Sequence, residues 1–144
     1  MAGIKSHEDL DAWKLSDGLE DRVYEITARE AARRDFDFCN DIRRSARSAP
    51  ANLCEGFHRF RPRDNARFVR IAIGSLGETI NHLRHAWKRK YITEQEHKDF
   101  TILAKRARGA STAWLAYLDS CPPAGPQRNK RFKGPEPEEP DREP

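Results

Sequence analysis

The sequence predicts an all-α protein, an antiparallel up-down four-helix bundle with a disordered C-terminal tail. The composition is 35% charged and 37% hydrophobic and is rich in good helix formers. Four successive stretches place apolar residues at spacings of three and four, which is the period of a helix face. The 144 residues suit one domain, so we expect the bundle over residues 1–121 and the tail over 122–144.

Helix one is predicted from about His7 to Arg29, with Ser6 as its N-cap. Acidic residues in the first turn suit the helix dipole. Trp13 flanks the apolar stripe. The stripe comprises Ala12, Leu15, Leu19, Val23 and Ile26.

Helix two is predicted from about Phe36 to His58, with Asp35 as its N-cap. Pro50 lies inside it, so we expect a kink near Ala46. The apolar stripe comprises Ile42, Ala46, Ala49, Leu53 and Phe57.

Helix three is predicted from about Asn65 to Lys90, capped by Asp64. Gly74 and Gly77 weaken an isolated helix, so they predict the close approach of another helix. The expected stripe comprises Phe68, Ala72, Ser75, Leu76, Thr79, Leu83, Ala86 and Trp87.

Helix four begins at the clearest boundary signal in the chain, the capping box of Thr93 and Glu96, and runs to about Asp119. Its stripe alternates at three and four, as in shallow-angle bundle packing. The stripe comprises Phe100, Leu103, Ala107, Ala110, Trp114, Tyr117 and Cys121. Short links between the four helices require neighbours to run antiparallel.

The segment from Pro122 onward is rich in proline and charge, and its single aromatic residue is Phe132. Such a segment cannot bury enough apolar surface to offset its ordering entropy, so we expect disorder. A basic block precedes an acidic one, which fits a solubilising extension; a polyanion contact and a self-masking arm are the alternatives.

Charge is distributed unevenly along the chain. Residues 1–30 are net −4, whereas residues 43–70 are net +6. The positive charge comes from eight arginines: Arg43, Arg44, Arg47, Arg59, Arg61, Arg63, Arg67 and Arg70. We expect these to bind nucleic-acid phosphates, because guanidinium groups match phosphate geometry. The alternative is structural pairing, with the acidic helix one of a neighbouring copy or with Asp41 and Glu55.

Catalytic and cofactor motifs are missing from the sequence. It holds no Walker A or GxGxxG pattern, and Gly74-Ser75-Leu76-Gly77 does not have the GxSxG spacing. Glu78, His82 and His85 share a helix face, but bundle di-iron sites need Glu-x-x-His twice. We therefore predict no enzyme, no cofactor and no metal.

The three cysteines, Cys39, Cys54 and Cys121, show no Cys/His ligand spacing and predict free thiols in a reducing compartment. No apolar run reaches the ~20 residues that cross a bilayer, and the N-terminus has no apolar signal core. These features predict a cytoplasmic protein without a membrane partner.

The run IRRSARSAPANLCEGFHR, preceded by DLDAWKLSDGLEDRVYEIT and followed by FVRIAIGSLGE, resembles the 23S rRNA-intervening sequence protein family, also called four helix bundle proteins. Departures from the family's pattern are mild and include Ser45, Ala49, Leu53 and Cys54. Seven of the residues that match the pattern are expected to have a structural role: Trp13, Asn52, Glu55, Gly56, Gly74, Ser75 and Glu78. The pattern is also matched by Leu10, Arg43, Arg44, Ser48, Pro50, Arg59, Phe68, Ile71 and Ala72.

The resemblance implies a small cytoplasmic bundle that forms a ring-like homopentamer and is encoded in some bacteria within insertions in 23S rRNA genes. Under this resemblance, Asn52, Glu55 and Glu78 are expected in buried hydrogen-bond networks or at the subunit interface. Two hypotheses follow. The protein is a non-enzymatic oligomer that binds RNA or DNA backbone through an arginine-rich face, or it is a protein-protein interaction scaffold.

Overall fold

The computed structural model describes residues 3–59 and 61–122, and within them the chain is all-α, as predicted. A 3-10 turn at His7–Asp9 precedes the four helices. The helices are α1 (Asp11–Ala28), α2 (Phe36–Phe57), α3 (Pro62–Lys88) and α4 (Glu94–Ser120).

The four helices form a bundle in which α1 and α3 each pack against both α2 and α4. The contacts between neighbouring helices show in which direction each helix runs relative to the next. Hydroxyl contacts between α2 and α3 join Ser45 to Thr79 and Ser48 to Ser75, so the position rises on one helix as it falls on the other. The α1–α2 pair follows the same rule, since Thr27 meets Arg43 and Tyr24 meets Arg47. These pairs run antiparallel.

The first helix is shorter than predicted, because one extended residue separates the 3-10 turn from α1. The Asp9 carboxylate accepts hydrogen bonds from the backbone N–H groups of Lys5 and Ser6, at 2.8 and 3.0 Å, and so holds a separate turn. Leu10 then takes an extended backbone (φ −71°, ψ 126°) and is buried in the core. The N-terminal segment therefore packs on the bundle as a separate 3-10 turn and not as the first turn of α1.

The N-terminal starts of α2 and α3 confirm one predicted N-cap, Asp35, and correct another, Asp64. The Asp35 carboxylate accepts a hydrogen bond from the Phe38 N–H, as an N-cap does. α3 begins at Pro62 instead of Asn65, because proline suits the first turn of a helix. Asn65 consequently lies inside α3 and is fully buried. α2 continues through Pro50, whose side chain is buried.

The start of α4 confirms the predicted capping box. The Thr93 hydroxyl accepts a hydrogen bond from the Glu96 N–H, and the Glu96 carboxylate accepts one from the Thr93 N–H. The Arg29 guanidinium also donates two hydrogen bonds to this carboxylate, at 3.0 and 2.6 Å. The end of α1 is thereby tied to the beginning of α4.

The core lies along the bundle axis and is built largely from alanine, valine, leucine and isoleucine. The predicted stripe of α4 lies at one edge of its inward face: Phe100, Leu103, Ala110 and Tyr117 are partly buried and pack against the core. The fully buried face of α4 consists mainly of small residues, and small side chains let neighbouring helices approach closely. It comprises Ala104, Ala107, Ser111, Trp114 and Leu118.

The glycines differ in how closely other atoms approach them. A β-carbon at Gly56 would meet atoms of α3 within 3 Å, so α2 and α3 depend on glycine there. At Gly74 and Gly77, apart from the adjacent backbone of α3, no atom of the described residues lies within 4 Å of a β-carbon. The predicted close helix approach at Gly74 and Gly77 is therefore not made within the chain.

Two sequence predictions concern membranes and the tail. None of the helices in the described ranges is both long and apolar enough to cross a membrane. The predicted disordered tail lies, beyond Pro122, outside the described residues.

Candidate nucleic-acid interface

The eight arginines separate into two groups. Arg43, Arg44 and Arg47 lie on α2 beside α1. We call the other five the arginine end, because they surround the connection between α2 and α3; they are Arg59, Arg61, Arg63, Arg67 and Arg70. Arg43 lies roughly 21 Å along α2 from its last residue, Phe57, at ~1.5 Å of rise per residue. The eight arginines are therefore spread along α2 and the beginning of α3.

The α2 group is largely engaged within the chain. The Arg43 Nε donates to the Thr27 hydroxyl at 2.7 Å, and its guanidinium lies 5.0 Å from the centre of the Tyr24 ring. Arg44 pairs with Asp41 at 3.1 Å. Arg47 is exposed, with one Nη 3.4 Å from the Tyr24 hydroxyl. Arg43 accordingly serves to fasten α1 to α2.

The arginine end holds exposed cations that form no ion pair among the described residues. Arg61, Arg63 and Arg67 are exposed, and none of them forms an ion pair with another residue in the ranges 3–59 and 61–122. Arg67 lies 5.7 Å from the centre of the Phe68 ring, and Arg59 lies 5.0 Å from the same ring. An aromatic ring is thus flanked by two guanidinium groups.

The remaining two arginines of this end have carboxylate partners. Arg59 pairs with Glu55 one turn earlier on α2. One Nη of Arg70 donates to both carboxylate oxygens of Asp119, at 3.0 and 2.9 Å. All four side chains are about half exposed, and exposed pairs of this kind contribute about 0–1 kcal/mol. A phosphate can therefore compete for these guanidinium groups at small cost.

A polar depression of about 430 Å³ opens at the same end. Its lining contains both signs of charge, with two arginines against two acids: Glu55, His58, Arg59, Arg61 and Asp64. The acids limit how strongly an anion would be held inside it. The guanidinium groups outside the depression, on Arg63 and Arg67, carry the unopposed charge.

The opposite end of the bundle is occupied by a structural network. The Tyr91 hydroxyl donates to the Asp35 carboxylate at 2.6 Å, and this hydrogen bond lowers the pKa of Asp35 and raises that of Tyr91. Arg29 lowers the pKa of Glu96 from 4.5 to about 2, chiefly by hydrogen bonding to the carboxylate. These contacts connect the α1–α2 and α3–α4 turns.

The residues of the family-like motif have varied surroundings. The Asn52 amide donates to the Ser48 carbonyl at 2.8 Å, and the Ser75 hydroxyl donates to the Ser48 hydroxyl at 2.7 Å. Glu55 and Glu78 are exposed and so lie outside a buried network of this chain, whereas the expected alternative, a position at a subunit interface, stays a prediction. Of the remaining motif residues, Trp13 is half-buried, Gly56 is buried and Gly74 is exposed.

The structure also brings together three side chains that sequence reasoning missed. Ring nitrogens of His7 and His58 and the Cys54 sulfur all lie within 4.8 Å of one another. His7 is 51 residues from His58, so no local motif joins them. The spacing of four between Cys54 and His58 on α2 was the available signal.

An all-α four-helix bundle with a cationic end is the class that the fold and these side chains define. Residues 8–110 match the model of the 23S rRNA-intervening sequence protein family, and the chain belongs to that family. The resemblance expected from the sequence is thereby confirmed. No curated protein matches the chain.

Proposed function

We propose that this protein is a non-enzymatic oligomer that binds RNA or DNA backbone through the arginine end. The observation that carries the proposal is the presence of three exposed guanidinium groups, on Arg61, Arg63 and Arg67, without a carboxylate partner among the described residues. The chain belongs to the 23S rRNA-intervening sequence protein family, so a structured RNA is the first polyanion to test. Arginine forks bind phosphate through paired N–H groups.

The chemistry of this surface favours backbone contact over sequence reading. Arginine and aromatic side chains contact phosphates and stack on bases of any identity. Phe68, flanked by Arg59 and Arg67, offers such a stacking platform at the edge of the cationic surface. Binding therefore depends mainly on charge and strongly on salt.

The two carboxylate-paired arginines extend this surface when nucleic acid is present. Arg59 and Arg70 exchange Glu55 and Asp119 for phosphate oxygens, since neither pair is shielded from water. Arg44 and Arg47 supply weaker, peripheral contacts. Arg43 contributes indirectly by positioning α1 on α2.

A salt titration of the full chain tests this function. Affinity for a labelled structured RNA is measured at several salt concentrations, and the logarithm of the association constant should fall linearly with the logarithm of salt. Three to five phosphate contacts predict a slope of about −2 to −5. An affinity that does not change with salt would exclude the arginine end as a phosphate-binding surface.

A second candidate function, a protein-protein scaffold, is favoured by the outer face of α3. Ile71 is 43% exposed there, and Gly74 is also exposed with open space around it. A neighbouring subunit can approach closely at a glycine, and the resemblance implies a homopentamer. Under this proposal Ile71→Asp dissociates the oligomer in light scattering, and the wild-type protein does not bind the labelled RNA in the salt titration. An unchanged molecular mass would count against this face.

The setting that we propose is a reducing one, the cytoplasm. All three cysteines are free, with Cys39 and Cys121 buried. Burial raises the pKa of the Cys39 and Cys54 thiols, so both are protonated and weakly nucleophilic at neutral pH. This supports the proposal that the protein is not an enzyme using these thiols.

A further inference from the structure

We propose that His7, Cys54 and His58 form a zinc site that joins the N-terminal turn to the end of α2. The three ligand atoms lie within 4.8 Å of one another. Two imidazoles and one thiolate are ligands that Zn²⁺ binds readily. Among the described residues this is the group of three whose donor atoms lie close enough to hold a metal ion.

The distance between the two imidazoles suits tetrahedral coordination. His7 Nδ1 and His58 Nε2 are 3.3 Å apart. With Zn–N bonds of about 2.0–2.1 Å, two nitrogens of a tetrahedral zinc ion are also about 3.3 Å apart. The two nitrogens therefore already have the separation that the ion requires, and the sulfur needs a movement on the order of 1 Å.

Neighbouring residues fix the positions of all three ligands. Cys54 lies in the last turn of α2, and His58 is the residue that follows the helix, with its backbone N–H donating to the Cys54 carbonyl. His7 lies in the turn that Asp9 closes, and the Trp13 ring meets its imidazole edge-on at 5.2 Å. Phe57 contacts the His58 ring in the same manner at 5.7 Å. The ligands thus come from elements whose backbone is already ordered.

The fourth coordination position is open to water. A Glu8 carboxylate oxygen lies 4.0 Å from His7 Nε2, on the side of the ring away from His58. The carboxylate can orient the imidazole through Nε2–H, as carboxylates do in many zinc sites. His58 is exposed, so the ion can reach the site from solvent.

Binding changes the protonation of the three ligands in a defined way. The Cys54 thiol releases one proton to solvent as its sulfur binds Zn²⁺. Without metal, one imidazole donates a hydrogen bond to the other; with metal, both facing nitrogens are deprotonated and each ring carries its proton on the distant nitrogen. A metal-free pair of hydrogen-bonded histidines is the alternative arrangement.

The proposed site does not depend on the proposed function. Cys54 stands at a position where the sequence departs from the family's pattern. The zinc ion would link the 3-10 turn at His7–Asp9 to the C-terminal end of α2. This link lies beside the depression that His58 helps to line. Occupancy should therefore stabilise the bundle whether or not nucleic acid binds to it.

Metal titration of the reduced, full-length protein tests the site. Co²⁺ serves as the spectroscopic probe, because a Co²⁺–thiolate bond gives an intense near-ultraviolet charge-transfer band and tetrahedral Co²⁺ absorbs strongly in the visible. We expect one Co²⁺ per chain, displacement by Zn²⁺, and a rise in Tm with added Zn²⁺. The charge-transfer band should vanish in Cys54→Ser, and Zn²⁺ affinity should fall at least tenfold in His58→Gln.

Matched variants separate the site from non-specific binding. Cys121→Ser and His97→Gln remove a thiol and an imidazole elsewhere and should keep full affinity for Zn²⁺. The proposal is overturned if wild-type protein shows no Co²⁺–thiolate band, or if Cys54→Ser and His58→Gln bind Zn²⁺ as tightly as wild type. His58 is exposed, so loss of folding does not confuse the result for His58→Gln.

Discussion

A β-carbon built at Gly56 would lie 2.7 Å from Oδ1 of the fully buried Asn65. The same β-carbon would lie 2.9 Å from the β-carbon of Phe68 and 3.0 Å from the Asn65 carbonyl oxygen. Both residues belong to α3, so Gly56 sets how closely α2 and α3 approach beside the arginine end. The position of Phe68 and its flanking guanidinium groups depends on this contact.

Gly56→Ala is therefore expected to destabilise the protein. Overpacking costs about 1–3 kcal/mol, which exceeds the gain of up to ~1 kcal/mol from helix propensity. Urea unfolding followed by circular dichroism measures the difference. Gly18→Ala is the control, since nothing lies within 4 Å of its β-carbon and it should stabilise α1 by about 0.5–1 kcal/mol. Equal effects of the two substitutions would contradict this account of Gly56.

Stability should fall at low pH partly through Glu96. Its pKa is lowered from 4.5 to about 2, so the Arg29–Glu96 pair stabilises the fold above pH 4.5 and is lost as the pH falls toward 2. Glu96→Gln keeps the capping geometry but removes the charge, and should lower stability at pH 7 by about 1 kcal/mol and flatten the decline below pH 4.5.

The control for this prediction is Glu94→Gln in the same helical turn. Glu94 is exposed and its nearest cation, on Lys98, is 3.9 Å away. It should reproduce the wild-type dependence of unfolding free energy on pH between 7 and 2. A Glu96→Gln profile that parallels both would show that the Arg29 pair contributes nothing.

The hydroxyl contacts between α2 and α3 should contribute measurably to stability. The Thr79 hydroxyl lies 2.9 Å from both the Ser45 hydroxyl and the Ser75 carbonyl, and the contact with Ser45 is buried. Thr79→Val should cost about 1 kcal/mol of unfolding free energy, because the shape is kept and the hydrogen bonds are lost. Thr112→Val, at an exposed hydroxyl bonded within its own helix, should change it by less than ~0.5 kcal/mol.

Much of the fold could be predicted from the sequence because its signals are local. Asp35 as N-cap and the Thr93–Glu96 capping box act within one turn, and the structure shows both. The predicted stripe of α4 lies to one side of the fully buried face, because that face also includes Ser111 and Ala104, whose small side chains give a weak hydrophobic signal. The early start of α3 followed from Pro62, whose preference for a first turn outweighed the capping ability of Asp64.

The candidate site was less predictable because its contacts are long-range. Nothing local indicates that Arg43 turns toward Thr27, or that Arg70 reaches Asp119 at the far end of α4. Arg61, Arg63 and Arg67 lie close together in sequence, and for that reason alone their grouping could be expected. His7 lies close to Cys54 and His58 in a separate 3-10 turn that ends at Asp9. The sequence did not predict that this turn is separate from α1.

The most direct test of the arginine end compares two triple variants of equal charge. One replaces Arg61, Arg63 and Arg67 by alanine, and the other replaces three exposed cations at the opposite end of the bundle, namely Arg33, Arg34 and Lys88. Affinity for one labelled structured RNA is measured across a salt series by fluorescence anisotropy. We expect at least a tenfold loss of affinity and a slope shallower by about 2–3 for the first variant, with a markedly smaller change for the second. Equal losses in the two variants would show that net charge, and not the arginine end, binds the RNA.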